Sequence, residues 1–136
     1  MKLPPLLSSR SPGEQILVAN VIPCVFGAIC GLVLGWHEIA YVVLAGPVGL
    51  LGGYFAGLEH RGGAEGAARG ALGGLQFGAL ILGVHELAGT TAKADLPEPA
   101  ILLVVLTTGV GALLGFFGGI ARERRMRRTV AAGATD

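Results

Sequence analysis

Residues 66–83 read GAARGALGGLQFGALILG, an apolar run in which Gly66, Gly70, Gly74 and Gly78 recur at intervals of four. Residues four apart lie on one face of an α-helix, so these glycines form a flat stripe against which another backbone can pack. Small residues at this spacing are typical of membrane helices, which associate by close packing because lipid supplies no hydrophobic force between them. The run therefore predicts a transmembrane helix packed tightly against a neighbour.

Three further apolar stretches carry glycines at the same spacing, so each predicted helix has its own ladder. Four glycine-lined helix faces are more than a single bundle requires for its own packing. The sequence leaves open whether these faces pack within the bundle, between copies or around a pore. A homo-oligomer or a complex with other membrane subunits is therefore expected. The predicted helix-packing residues are Gly27, Gly31, Gly35, Gly49, Gly53, Gly57, Gly66, Gly70, Gly74, Gly78, Gly111, Gly115 and Gly119.

The composition agrees with a membrane protein. Of the 136 residues, 52% are hydrophobic and only 14% are charged, whereas about a quarter of an ordinary soluble domain is charged. A soluble enzyme and a disordered chain are both excluded on these grounds. Four segments have the length of about 20 residues that a bilayer requires, namely 16–36, 39–58, 70–88 and 100–121. None carries a charge in its middle, which argues against an ion-coupled carrier.

Basic residues predict the orientation of the chain. Nine of the ten Lys and Arg residues fall on one side of a four-crossing topology, and only Lys93 falls on the other. The positive-inside rule then places both termini in the cytoplasm of a multi-pass cell-membrane protein. The tail is predicted to bind anionic lipid of the bilayer rather than nucleic acid, through Arg122, Arg124, Arg125, Arg127 and Arg128.

An internal repeat organises the predicted helices. The motif that begins at Gly35, GWHEIA, reappears as GVHELA from Gly83, and other matches follow in the same order. The sequence therefore predicts an all-α, integral membrane four-helix bundle built from two parallel two-helix repeats, with helix one opposite helix three. The expected segments are a cytoplasmic segment 1–15, the repeats 16–62 and 63–121, and a basic cytoplasmic tail 122–136.

His37, Glu38, His85 and Glu86 are the candidate metal ligands, since the repeat places them at equivalent outer ends of helices one and three. Imidazole and carboxylate groups together suit a divalent cation, so a cation is the expected cofactor if the two pairs converge. A purely structural role is the alternative. Haem ligation by the two histidines is disfavoured, because a porphyrin at the membrane interface would not be well buried.

Two functions remain open on the sequence alone. The first is a small membrane protein that self-associates through its glycine faces and binds or conducts a cation at the outer His–Glu cluster. The second is a non-transporting structural or assembly subunit of a larger membrane complex. The chain contains no CxxC or HExxH pattern and no phosphate-loop motif, and a non-enzymatic protein is therefore predicted.

Overall fold

The computed structural model describes residues 3–133, and within them four long helices account for most of the chain. We number them α1, Pro12–Leu34; α2, Glu38–Leu58; α3, Gly63–Ala88; and α4, Ile101–Gly133. Each contains a stretch long and apolar enough to cross a membrane. The prediction of an all-helical chain is confirmed over these residues, and so is the prediction of four helices long and apolar enough to cross a membrane. Residues 1–2 and 134–136, the ends of the two predicted terminal segments, lie outside the described residues.

The helix α1 begins earlier than predicted, at a capping box. The Ser11 side chain accepts a hydrogen bond from the backbone N–H of Glu14, and the Glu14 carboxylate accepts one from the backbone N–H of Ser11. Pro12 occupies the first helical position, where its missing N–H costs nothing. One turn further on, residues Leu17–Val21 adopt a π-helical register before the α-helix resumes at Ile22.

Helices α3 and α4 are longer than predicted. The former starts at Gly63, behind Gly62 at a positive φ of 93°, and so takes in Arg69, which the sequence placed outside the membrane segment. The latter continues to Gly133 instead of ending near residue 121. A Glu123–Arg127 ion pair at i,i+4 supports this extension, since such pairs stabilise solvated helices.

Glycine contacts determine which helices lie side by side. Helices α3 and α4 are antiparallel, and a Cβ built on Gly66 or Gly70 would overlap the backbone of Gly115 or Gly111. Helix α1 lies along α3, where a Cβ on Gly27 would be 2.6 Å from the carbonyl oxygen of Phe77. Helix α2 meets α4 where Gly57 faces Gly115.

The expected position of helix one opposite helix three is wrong. Helix α1 packs directly on α3, and α1 and α4 have the least contact of any helix pair. The physical reason is that the α1 ladder is matched to the α3 backbone, with Gly31 against Ile81. Among the predicted packing glycines, Gly49 makes only ordinary contact with the Phe77 ring, and Gly35 faces the side chain of Thr90 in the loop that precedes α4.

The tightest core lies in the half of the bundle near the loops 35–37 and 89–100, which we call the outer end. Cys30, Leu34 and Ile81 are at most 1% exposed there. The loop 89–100 folds back over this core, where Ala94 is buried and the Lys93 N–H donates to the Leu34 carbonyl over 2.9 Å. The outer half of the bundle is therefore closed by apolar side chains.

Candidate functional site

His37 and His85 occupy different environments, although the repeated motif predicts equivalent positions for them. His37 lies outside α1 and is the exposed N-cap of α2, where its Nδ1 accepts a hydrogen bond from the Ala40 N–H over 3.4 Å. His85 lies inside α3 and is buried, with its Nδ1 3.4 Å from Thr90 Oγ1. The difference arises because α1 ends at Leu34, whereas α3 continues through the repeated motif.

The neighbouring carboxylates are both exposed. Glu38 occupies the first turn of α2, where the helix dipole favours an anion, and Glu86 occupies the last turn of α3. Over residues 3–133, no three His, Cys, Asp or Glu side chains are grouped so that they could hold one metal ion. The described geometry thus gives the predicted divalent-cation site no support, and the site stays a prediction.

A network of arginine contacts occupies the opposite end, which we call the basic end and which contains residues 4–15, 58–69 and the start of the tail at Arg122. Arg10 forms an ion pair with Glu59 across the bundle. The N–H of Leu7 donates to the Glu59 carbonyl over 3.0 Å. The segment before α1, which lacks a long helix of its own, is therefore fastened to the turn between α2 and α3.

Arg122, predicted to bind lipid, is instead buried in this network. Its Nη1 donates to the Leu58 carbonyl over 2.6 Å and to the Pro4 carbonyl over 2.7 Å. Leu58 is the last residue of α2, and a cation there satisfies a free carbonyl and interacts favourably with the helix dipole. The remaining tail arginines, Arg124, Arg125, Arg127 and Arg128, are exposed on the α4 extension and stay available to lipid.

Arg69 is the least expected member of the basic end, because it is a charged residue within a membrane-spanning helix and only 7% exposed. Its Nη2 donates to the Val18 carbonyl of α1 over 3.0 Å. In the π-helical segment of α1, each N–H donates to the carbonyl five residues earlier, as the Ile22 N–H does to the Leu17 carbonyl. By the same pattern the Val18 carbonyl would accept from the N–H of residue 23. Since Pro23 has no N–H, the Val18 carbonyl lacks a helical partner, and Arg69 supplies the missing donor.

A cleft of about 480 Å³ opens beside this network. Its lining comes from the segment before α1, the first turn of α1, the α2–α3 turn and the start of α3, and its principal polar side chains are Gln15, Glu59, His60, Arg61 and Glu65. Glu59 belongs both to the cleft and to the ion pair with Arg10. The cleft therefore connects the bundle surface with the buried charges.

An amide pair lies deeper, between α1 and α3. The Gln76 Nε2 donates to the Asn20 Oδ1 over 2.7 Å. The Gln76 Oε1 is buried without a protein partner. Because Arg69, Gly73 and Gln76 follow one face of α3, the amide pair and the arginine share a groove.

We expect the amide pair to stabilise the bundle modestly. Gln76→Leu and Asn20→Leu should each lower the free energy of unfolding, and a double-mutant cycle should give a coupling of about 0.6 kcal/mol, with about 1.7 kcal/mol as an upper value for such bonds. Reversible unfolding in mixed micelles measures all four proteins of the cycle. Strictly additive losses would contradict a hydrogen bond between the two side chains.

Comparison with known proteins gives no relative. The chain matches no protein-family model, no curated protein and no solved structure. Its function must therefore be argued from its own residues.

Sequence reasoning missed the basic end because its residues looked like a simple topology signal. Arg10, Arg69 and Arg122 were assigned to the same side of the membrane, but a charge count does not reveal which side chains turn inward. One signal was available in Ser11 and Glu14, whose spacing predicts a capping box and hence a helix start near Pro12.

Proposed function

We propose that the protein is a non-enzymatic, non-transporting membrane subunit that self-associates. The observation that carries the proposal is the apolar closure of the outer half. An ion that passed from His37 or His85 towards the basic end would have to cross the layer of Cys30, Leu34 and Ile81, whose side chains are almost fully buried. In that layer a hydrated ion would lose its water without gaining polar ligands.

Self-association would require a surface other than the main glycine ladders, because these pack against the chain's own helices. Helix α2 is the best candidate, since it is the least buried of the four. Gly46 has no atom within 4 Å of its Cβ position, and Val42, Val43 and Leu50 around it are exposed. An open glycine costs a helix about 1 kcal/mol relative to alanine, but it permits close approach by a second helix in lipid.

The proposal includes the predicted location in the cell membrane, with both termini in the cytoplasm. The contacts of the basic end support it, because they gather basic residues from residue 10 to residue 122 at one end of the bundle. The proposal also retains the two-hairpin duplication. Direct contacts within the pairs α1–α3 and α2–α4 are compatible with such a repeat.

The rival proposal, a cation site at His37, Glu38, His85 and Glu86, has a separate test. Native mass spectrometry from mild detergent would show a bound divalent ion that is lost when His37→Ala and His85→Ala are combined. A spectrum without a metal adduct at millimolar Zn²⁺ would contradict it.

Oligomer mass in lipid nanodiscs tests the self-association proposal. We expect the wild-type protein to form a defined oligomer, most simply a dimer, and Gly46→Leu to shift it to the monomer, because the longer side chain holds the second α2 away. Gly109→Leu is the matched control, since Gly109 on α4 also has open space around its Cβ position. A monomeric wild-type protein, or equal effects of the two substitutions, would contradict the proposed α2 interface.

A further inference from the structure

The groove between α1 and α3 holds more polar atoms than its protein contacts satisfy. Arg69 uses Nη2 on the Val18 carbonyl, but its Nε and Nη1 are buried and have no hydrogen-bond partner among residues 3–133. Gln76 Oε1, further along the groove, is a buried acceptor in the same condition. Within a membrane each unsatisfied polar group costs several kcal/mol, so such groups normally face water or another polar partner.

The direction of the Arg69 side chain places these atoms close to each other. A Cβ built on Gly73 would lie 3.3 Å from Arg69 Nη1, so the guanidinium extends along α3 away from the basic end and over Gly73. Gln76 follows three residues later, about 4.5 Å further along the helix axis. Gly73 has no side chain, and the Arg69 guanidinium occupies the space above it, so no side chain at position 73 separates the unpartnered donor from the unpartnered acceptor.

Water that entered this groove from the basic end would come through the cleft there. The cleft there includes Glu59, whose carboxylate is paired with Arg10 and has its Oε2 without a protein partner. Among the described residues, unpartnered buried polar atoms therefore occur at Glu59 beside the cleft, at Arg69 and at the amide pair, and the apolar layer at Cys30 and Ile81 lies beyond them.

We propose that the groove between α1 and α3 is a dead-end, water-filled vestibule that opens at the basic end and that Arg69 makes attractive to small anions. Water bridges the Arg69 donors and Gln76 Oε1, and the vestibule stops at the Asn20–Gln76 pair. This inference is independent of self-association, because the vestibule lies within one chain. A low-dielectric site lined by charges of one sign raises the local concentration of counter-ions about tenfold or more, and Arg69 is the charged residue that lines the groove itself.

Thiol modification tests the vestibule. Methanethiosulfonate reagents react with thiolates, so a cysteine must contact water to be labelled. In a Cys24→Ala, Cys30→Ala background, Val18→Cys is the probe, because the Val18 carbonyl accepts the Arg69 hydrogen bond and the Val18 side chain is only partly exposed. Leu17→Cys is the matched control, because Leu17 has the same depth but is 49% exposed on the outer surface of α1, which faces lipid. The reagents are the anionic sulfonatoethyl and the cationic trimethylammonioethyl forms, applied to nanodiscs.

We expect Val18→Cys to react with the anionic reagent about tenfold faster than with the cationic one, after normalisation to free cysteine, and Leu17→Cys to react with neither. Adding Arg69→Met should remove the preference, and Arg69→Lys should retain part of it, which separates charge from a general loss of fold. An unreactive Val18→Cys would overturn the vestibule. Labelling without charge preference would overturn the role of Arg69.

Discussion

The Gly115→Ala protein should be at least about 2 kcal/mol less stable than the wild type, the cost of forcing a methyl group into a packed interior. Gly115 lies where three helices meet, with Gly57 of α2 on one side and Gly66 and Gly70 of α3 on the other. The atoms that an added Cβ would meet are backbone atoms, which cannot rotate away. The helices must therefore move apart. The stability falls because the packing contacts between α3 and α4 and between α2 and α4 are weakened together. Gly115→Leu should prevent the bundle from forming.

Gly109→Ala is the control for this expectation. It makes the same chemical change on the same helix, but no atom lies within 4 Å of the Cβ position of Gly109. Because alanine is the better helix former, that variant should be as stable as the wild type or up to about 1 kcal/mol more stable. Unfolding in mixed micelles, followed by circular dichroism, measures both variants. Equal stability of the two proteins would show that backbone contact at Gly115 does not hold the helices together.

The number and nature of the helices could be predicted because they depend on local properties. Apolar length and ladder spacing are visible in any one segment, and the predicted second segment, 39–58, differs from α2 by a single residue. Pairing of the helices could not be predicted, because four ladders offer several complementary matches. The match of Gly27 and Gly31 to the α3 backbone, which placed α1 beside α3, depends on three-dimensional fit.

The basic end could not be predicted for a different reason. Arg69 finds a buried carbonyl partner because the π-helical segment Leu17–Val21 lies just before Pro23 and leaves the Val18 carbonyl without a helical donor. Predicting that contact requires the backbone of α1 and its position beside α3 to be known together. Likewise, Arg122 looked like the other tail arginines, and only its position beside the end of α2 distinguishes it. The outer His–Glu pairs are repeated in the sequence, but the two copies of the motif differ in structure, because α1 ends before the first copy and α3 continues through the second.

Loss of the Arg122 side chain should release the segment before α1. Arg122 joins three elements, since its Nη1 binds carbonyls from Leu58 and Pro4 while its Cα belongs to α4. A hydrogen bond from a charged donor contributes about 1.5–3 kcal/mol, and each 1.4 kcal/mol is a tenfold change in an equilibrium. In the Arg122→Met protein, tryptic cleavage after Arg10 should therefore be at least about tenfold faster, because cleavage tracks the population of the open segment.

The matched control is Arg124→Met, which removes the same charge from the same helix at an exposed position. We expect wild-type cleavage after Arg10 in that protein, as quantified by mass spectrometry of the released peptide. If both variants were cleaved equally fast, the net charge of the tail would hold the segment, not the two hydrogen bonds. A rate unchanged in both would mean that the Arg10–Glu59 ion pair and the Leu7 backbone bond suffice, and Arg122 would then serve only to cap α2.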